Sequence, residues 1–171
     1  AGATVIITAR NAPEKEDGRL HFIAADLSKP EGTQAVVTGV LSQFGRLDIL
    51  INNLGGSETP GGGFAALTDN DWEATIQTNL LAPVRLDRGI LPQMIARGSG
   101  VIIHIASIQG RLPLFDATLP YAAAKAGLIN YSKSLSNEVT PKGIRVLTVS
   151  PGWIRTENVK VWLETIAQNS N

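Results

Sequence analysis

Short runs of β-branched and other apolar residues alternate along this chain with stretches whose apolar positions recur every three to four residues. TVIITA (4–9), LHFIAA (20–25), LDILIN (47–52), VIIHIA (101–106) and RVLTVS (145–150) are nearly continuous in hydrophobicity, the pattern of strands buried on both faces. Helical periodicity fills the gaps. Ser28 and Glu31 form a capping-box signature, Val36, Val37, Val40, Leu41 and Phe44 make an apolar stripe, and Gly45 stands where a C-terminal glycine belongs. A second helix is predicted to start near Thr68 or Asp69 with Trp72, Ile76 and Leu80 on one face, and a third to run from near Pro120 towards Val139 along Ala124, Leu128, Tyr131 and Leu135. Strands alternating with helices predict an α/β fold built on a doubly wound parallel sheet, as one domain over residues 1–171. No internal repeat or linker interrupts it, and GGSETPGGGF (55–64) reads as a loop inside the domain.

Composition narrows the function classes. With 43% hydrophobic and 18% charged residues, the 171-residue chain suits one packed core and not a disordered segment. Fifteen basic residues balance fifteen acidic ones, so no excess charge points to nucleic acid or to an anionic membrane. The absence of Cys excludes disulfides and thiolate zinc sites, and two His leave few metal ligands. The apolar runs fall far short of the roughly 20 residues that span a bilayer, and no signal or transit peptide is expected. A cytoplasmic, metal-independent protein is expected.

In open parallel sheets ligands bind beyond the carboxyl ends of the strands. The residues there are Arg10, Asp26, NNLGG (52–56), Ser107 and PGWIRT (151–156). Taken singly, each has a plain structural reading: a solvated charge, a turn former, a tight turn, a loop hydroxyl, a breaker. Asn79 lies beside the predicted buried stripe of the second helix, where a carboxamide needs hydrogen-bond partners or a function. In the third helix, YAAAK places Tyr121 and Lys125 four apart, on a face shared with Leu128 and Ile129. A snorkelling Lys beside a partly buried Tyr is the simple account of such a pair.

The functional account is acid–base chemistry. A phenol titrating at about 10 is a poor proton shuttle at neutral pH, but an adjacent positive charge favours its anion. At ~4 Å and an effective dielectric near ~20, the attraction is about 4 kcal/mol, or roughly three pK units. Tyr121 would then protonate a developing alkoxide while the Ser107 hydroxyl holds the same oxygen.

With NNLGG, Asn79, Ser107, the Tyr121/Lys125 pair and SPGWIRT in this order and spacing, the whole chain resembles the short-chain dehydrogenases/reductases, NAD(P)-dependent oxidoreductases on a Rossmann-type sheet. The resemblance implies Tyr121 as catalytic acid/base, Ser107 as the group polarising a substrate carbonyl, Lys125 as the residue that lowers the Tyr pKa and binds the nicotinamide ribose, and Asn79 as holder of a relay water. It further implies that Asp26 faces the adenine, that Asn53 and Gly55 line the cofactor cleft, and that Pro151, Gly152, Ile154 and Thr156 border the nicotinamide. A small carbonyl or alcohol substrate and a homotetramer or homodimer are implied as well. Leu54 replaces the Ala of the family pattern. Cofactor choice turns on Ala9-Arg10, which end a strand where NAD enzymes place an acidic residue and where an Arg accommodates a 2′-phosphate, so NADP(H) is favoured.

Two departures from the pattern carry expectations. The Gly-rich phosphate fingerprint belongs about 20 residues before Arg10, ahead of residue 1, and the family's last helix and strand lie past Asn171. Without its first, central strand the sheet would divide into a pair and a trio with unpaired inner edges, so a longer molecule is expected. Two other readings stand beside the oxidoreductase: from another class, a catalytically silent nucleotide-binding or interaction module of the same fold, and, as a third, an epimerase or dehydratase relative that shares the Tyr-Lys pair.

Overall fold

A computed structural model describes residues 2–13, 20–114 and 118–154. All five expected strands form: β1 (Val5–Ala9), β2 (Leu20–Ala24), β3 (Ile49–Asn52), β4 (Gly100–Ile105) and β5 (Ile144–Val149). Every pairing is parallel, as crossover helices require. The strands fall into two sheets, β1-β2 and β3-β4-β5, and no ladder joins β1 to β3 among the described residues. This is the division into a pair and a trio expected from the sequence.

Helix α1 (Pro30–Phe44) ends at Gly45 in the left-handed conformation, with φ 72°, whose N–H reaches the Leu41 carbonyl. Its start corrects the sequence reading, because the N-cap is Lys29 and no side chain caps it. Ser28 instead donates its N–H and hydroxyl to Asp26 Oδ1, at 3.1 and 2.7 Å. An Asp two residues upstream competes for the serine better than a helix end that already has Pro at its first turn. The capping box lies elsewhere, at Thr68 and Asp71, where α2 (Asp69–Ile76) begins.

The second helix departs from expectation in register too. After Ile76 it widens into one π turn (Gln77–Leu81) and continues as α3 (Ala82–Arg97). Trp72, Ile76 and Leu80 end half-buried, while the polar Thr75 and Asn79 are the buried residues of that stretch. A π turn adds a residue to the helical circuit and so turns Asn79 inwards. Helix α4 (Leu119–Val139) follows its expected stripe, with Ala124, Leu128 and Leu135 buried and Tyr131 half-buried.

Strands of this composition predict two covered faces; here one is covered. Ile102, His104, Ile144 and Val146 face a core made by Val36, Val37 and Val40 of α1, Leu86, Ile90 and Met94 of α3, and Leu135 and Val139 of α4. Ile49, Ile51, Leu147 and Val149 remain exposed on the other. All three long helices pack on the same side, and among the described residues nothing covers the opposite one. Each fully buried Leu or Ile contributes about 1.5–3 kcal/mol, so the single core supplies the cohesion that positions the strand ends.

Candidate active site

The carboxyl ends of β1, β2 and β3 and the face of α2 enclose a cleft of about 560 Å³. Its walls include Arg10, Asp26, Asn53, Gly55 and Asn79, five of the residues singled out in the sequence. The Asp26 carboxyl is held below the usual carboxylate range, first by the Ser28 hydroxyl, then by the Ser28 N–H, with weaker help from Lys29 and Arg10. A charged acceptor thus stands next to the exposed guanidinium of Arg10.

Asn79 organises the glycine-rich turn. Its Oδ1 accepts the Gly56 N–H at 3.2 Å, and its Nδ2 donates to the Gly56 and Thr75 carbonyls, each at 3.0 Å. These bonds satisfy a carboxamide only 1% exposed. Gly55, at φ 131°, fits because it has no Cβ: one built there would lie 2.1 Å from Asn79 Oδ1 and 2.9 Å from Lys125 Nζ.

Lys125 is the second organising group. It is 2% exposed, and its ammonium donates to the Leu54 carbonyl at 2.8 Å and the Ile105 carbonyl at 3.0 Å. These two acceptors end the approach of β3 and β4, so the side chain ties α4 to both strand ends. Burial lowers its pKa from 10.5 to about 8, which leaves it mostly charged at neutral pH. Nζ lies 5.6 Å from the centre of the Tyr121 ring, on the same helical face one turn away. Among the described residues two of the three ammonium protons are used, and one remains for a ligand.

Ser107 stands two residues after the end of β4. It is 8% exposed, and its Oγ accepts the Gln109 N–H at 3.2 Å, which among the described residues leaves the hydroxyl proton able to donate to a ligand. The short 3-10 turn after it (Ile108–Gly110) packs on α4 so closely that a Cβ at Gly110 would lie 3.0 Å from the Lys125 carbonyl carbon. Pro151, after β5, accepts the Ile108 N–H at 2.9 Å. The ends of β4 and β5 are thereby joined beside the Tyr121 helix.

The structure therefore joins Asn79, Gly55, Lys125 and Tyr121 by direct neighbours, and Ser107 and Pro151 through the 3-10 turn. Gly152 and Ile154 are exposed beyond Pro151, and Thr156 lies outside the described residues. Ser107, Tyr121 and Lys125 are not walls of the cleft itself; the Leu54–Gly55 turn links the two regions. Sequence reasoning missed the Leu54 and Ile105 carbonyls, because main-chain acceptors carry no residue signature. It also missed Asp87, whose only sign was a carboxylate beside the apolar Leu86, Ile90, Leu91 and Met94 of one helix.

The short chain dehydrogenase family model matches residues 1–167. This chain belongs to that family. An uncharacterized oxidoreductase of Bacillus subtilis is 35% identical over 98% of the chain and 65% of its own length. An acetoacetyl-CoA reductase of Cupriavidus necator is 38% identical over 81% of the chain and 56% of its own length. Among solved structures, L-sorbose reductase from Gluconobacter frateurii, complexed with NADPH and L-sorbose, superposes with a TM-score of 0.83 at 35% identity, over 96% of this chain and 64% of that one. The chain thus spans less than two thirds of the length of each of these relatives.

Proposed function

We propose that this chain carries the active-site part of an NADP(H)-dependent oxidoreductase that moves a hydride between the nicotinamide cofactor and a carbonyl or alcohol. The observation that supports this most is a buried ammonium, Lys125, held by two strand-end carbonyls one helical turn from a phenol. A purely structural Lys would reach solvent, since burying it costs several kcal/mol before pairing.

The donor set suits a dinucleotide. A cleft of about 560 Å³ has room for a nucleoside. In this reading Arg10 takes the 2′-phosphate, Asp26 faces the adenine, and the Gly55–Gly56 turn lets the ligand approach the main chain. The third Lys125 proton meets the nicotinamide ribose, and Pro151, Gly152, Ile154 and Thr156 border the ring. The cofactor, when bound, supplies or accepts the hydride.

The residues of the chain handle the oxygen and its proton. Ser107 donates to the carbonyl oxygen and Tyr121 delivers the proton that the reduced oxygen needs, in a field set by the Lys125 charge. Asn79 holds the turn that carries Gly55, and the family pattern adds a relay water to its role. Leu112, Leu114, Trp153 and Ile154, all exposed after β4 and β5, offer the apolar surface that a carbonyl with a hydrocarbon arm would cover.

The test is NADPH oxidation with acetoacetyl-CoA and with L-sorbose, in wild type and Tyr121→Phe. Loss of the phenol should lower kcat by about 10²–10⁴ with the fold unchanged. Turnover equal to wild type would remove Tyr121 from the mechanism. Cofactor binding without turnover in either protein would favour the silent module, and a tightly held cofactor that is never released would favour the epimerase or dehydratase relative.

A further inference from the structure

Behind Lys125 lies a polar cluster that the proposed chemistry does not use. Asp87 of α3 is 0% exposed, and both its oxygens are engaged. Asn52 Nδ2 donates to Oδ1 at 2.8 Å, the Tyr131 hydroxyl donates to Oδ2 at 3.0 Å, and His104 Nε2 lies 2.9 Å from Oδ2. His104 Nδ1 in turn sits 2.6 Å from Ser132 Oγ. His104 is 0%, Asn52 1% and Ser132 2% exposed. One carboxylate therefore collects β3, β4, α3 and α4 at a single point.

Burial, and then the Asp87 carboxylate, push the Tyr131 phenol well above its ordinary pKa, so it stays a donor. With His104 Nε2–H donating to Asp87 Oδ2, the Ser132 hydroxyl can donate to Nδ1, and every bond of the cluster has one donor and one acceptor. Such a set is not needed for cohesion, since apolar residues of the same volume commonly serve as well or better. What it adds is a fixed arrangement.

The arrangement matters because of where its members sit. Asn52 and His104 are register partners across β3 and β4. Leu54 and Ile105, whose carbonyls hold the Lys125 ammonium, follow them by two residues and by one. On α4, Ser132 lies seven positions after Lys125, hence on the same face, so the helix is anchored at both points.

We propose that Asp87 is a positioning residue for Lys125: by holding Asn52 with one oxygen and His104 with the other, it sets the spacing of the Leu54 and Ile105 carbonyls and so the place of the ammonium. The consequence for catalysis rests on the oxidoreductase reading, in which Lys125 acts on Tyr121. The effect on Lys125 itself does not.

The test is Asp87→Asn, isosteric but with a donor where three donors already converge. Isotope-labelled lysine NMR would follow the Lys125 amine through its titration, beside denaturant unfolding and NADPH turnover. We expect a folded protein in which the Lys125 midpoint moves by roughly half a pH unit or more. Turnover should fall on the order of tenfold to a hundredfold in kcat, with a smaller change in the KM for NADPH. A folded variant with an unmoved Lys125 midpoint overturns the proposal, whatever its activity. A moved midpoint in a protein whose Tyr121→Phe form turns over normally keeps the positioning role and removes the enzymatic reading instead. Should Asp87→Asn not fold, Asn52→Ala and Ser132→Ala release the cluster from its two ends, and both are expected to move the midpoint in the same direction by less; no movement in either overturns the proposal.

Discussion

Gly55 stands between Asn79 and Lys125 with no room for a single added carbon: the missing Cβ would be 2.1 Å from Asn79 Oδ1 and 2.9 Å from Lys125 Nζ. The two polar groups approach each other's space only because the residue between them is glycine. Its φ of 131° is also one that L side chains rarely adopt.

Gly55→Ala is therefore expected to displace either the carboxamide or the ammonium. Strain of this kind costs about 1–3 kcal/mol, and the bonds of Asn79 to Gly56 are the first to give. Denaturant unfolding should show the loss, and NADPH affinity should fall with it. An alanine variant as stable as wild type would mean that the turn has another arrangement of equal energy.

Ser107→Ala removes the hydroxyl while the strand that precedes it stays intact. The substitution removes one hydrogen bond to a developing charge together with the cap on the Gln109 N–H, so kcat should drop by about 10²–10³ and stability by about 0.5–2 kcal/mol. Steady-state kinetics against acetoacetyl-CoA would read it, and an unchanged kcat would assign carbonyl polarisation to another donor.

Arg10→Ala bears on cofactor choice. Arg10 is exposed, so the fold should not notice the change. A 2′-phosphate should: its charge-assisted bonds are worth about 1.5–3 kcal/mol, which predicts a rise of at least about tenfold in the KM for NADPH and almost none for NADH. Equal effects on both cofactors would take Arg10 out of the 2′-phosphate site.

Lys125→Met tests the burial of charge through pH. The folded protein binds the Lys125 proton less tightly than the unfolded chain, with midpoints of about 8 and 10.5 respectively. Between those values the unfolded state carries more protons at this site, so stability from this group rises with pH, by up to about 1.4 kcal/mol per unit. Below pH 8 the cost of the buried ammonium is fully present. Unfolding free energies measured across this window should climb more steeply in wild type than in Lys125→Met, and parallel curves would refute the lowered pKa.

How far the sequence alone reached can be followed residue by residue. Strand positions came within a residue or two because each β-branched run is bounded by glycine, proline or polar residues, and local hydrophobicity is enough to mark it. Helix α4 was visible along Ala124, Leu128 and Leu135 for the same reason, since a 3.6-residue period needs no partner to be seen. The chemically notable residues were also visible, because they follow strands or, like Tyr121 and Lys125, repeat at one helical turn.

What only the tertiary structure decided depends on contacts between elements. The capping of α1 lost Ser28 to Asp26, a competition between two local partners that a motif read by itself does not resolve. The π turn at Gln77–Leu81 set the facing of Asn79, because one extra residue in the circuit rotates everything after it. Lys125 does not rest on Tyr121 alone but on two main-chain carbonyls brought in by β3 and β4, and carbonyls are common to every residue. Asp87, His104, Asn52 and Ser132 lie far from one another along the chain. They become one cluster only where two strands in register meet two helices, because a buried carboxyl group needs several elements to bring donors to it at once.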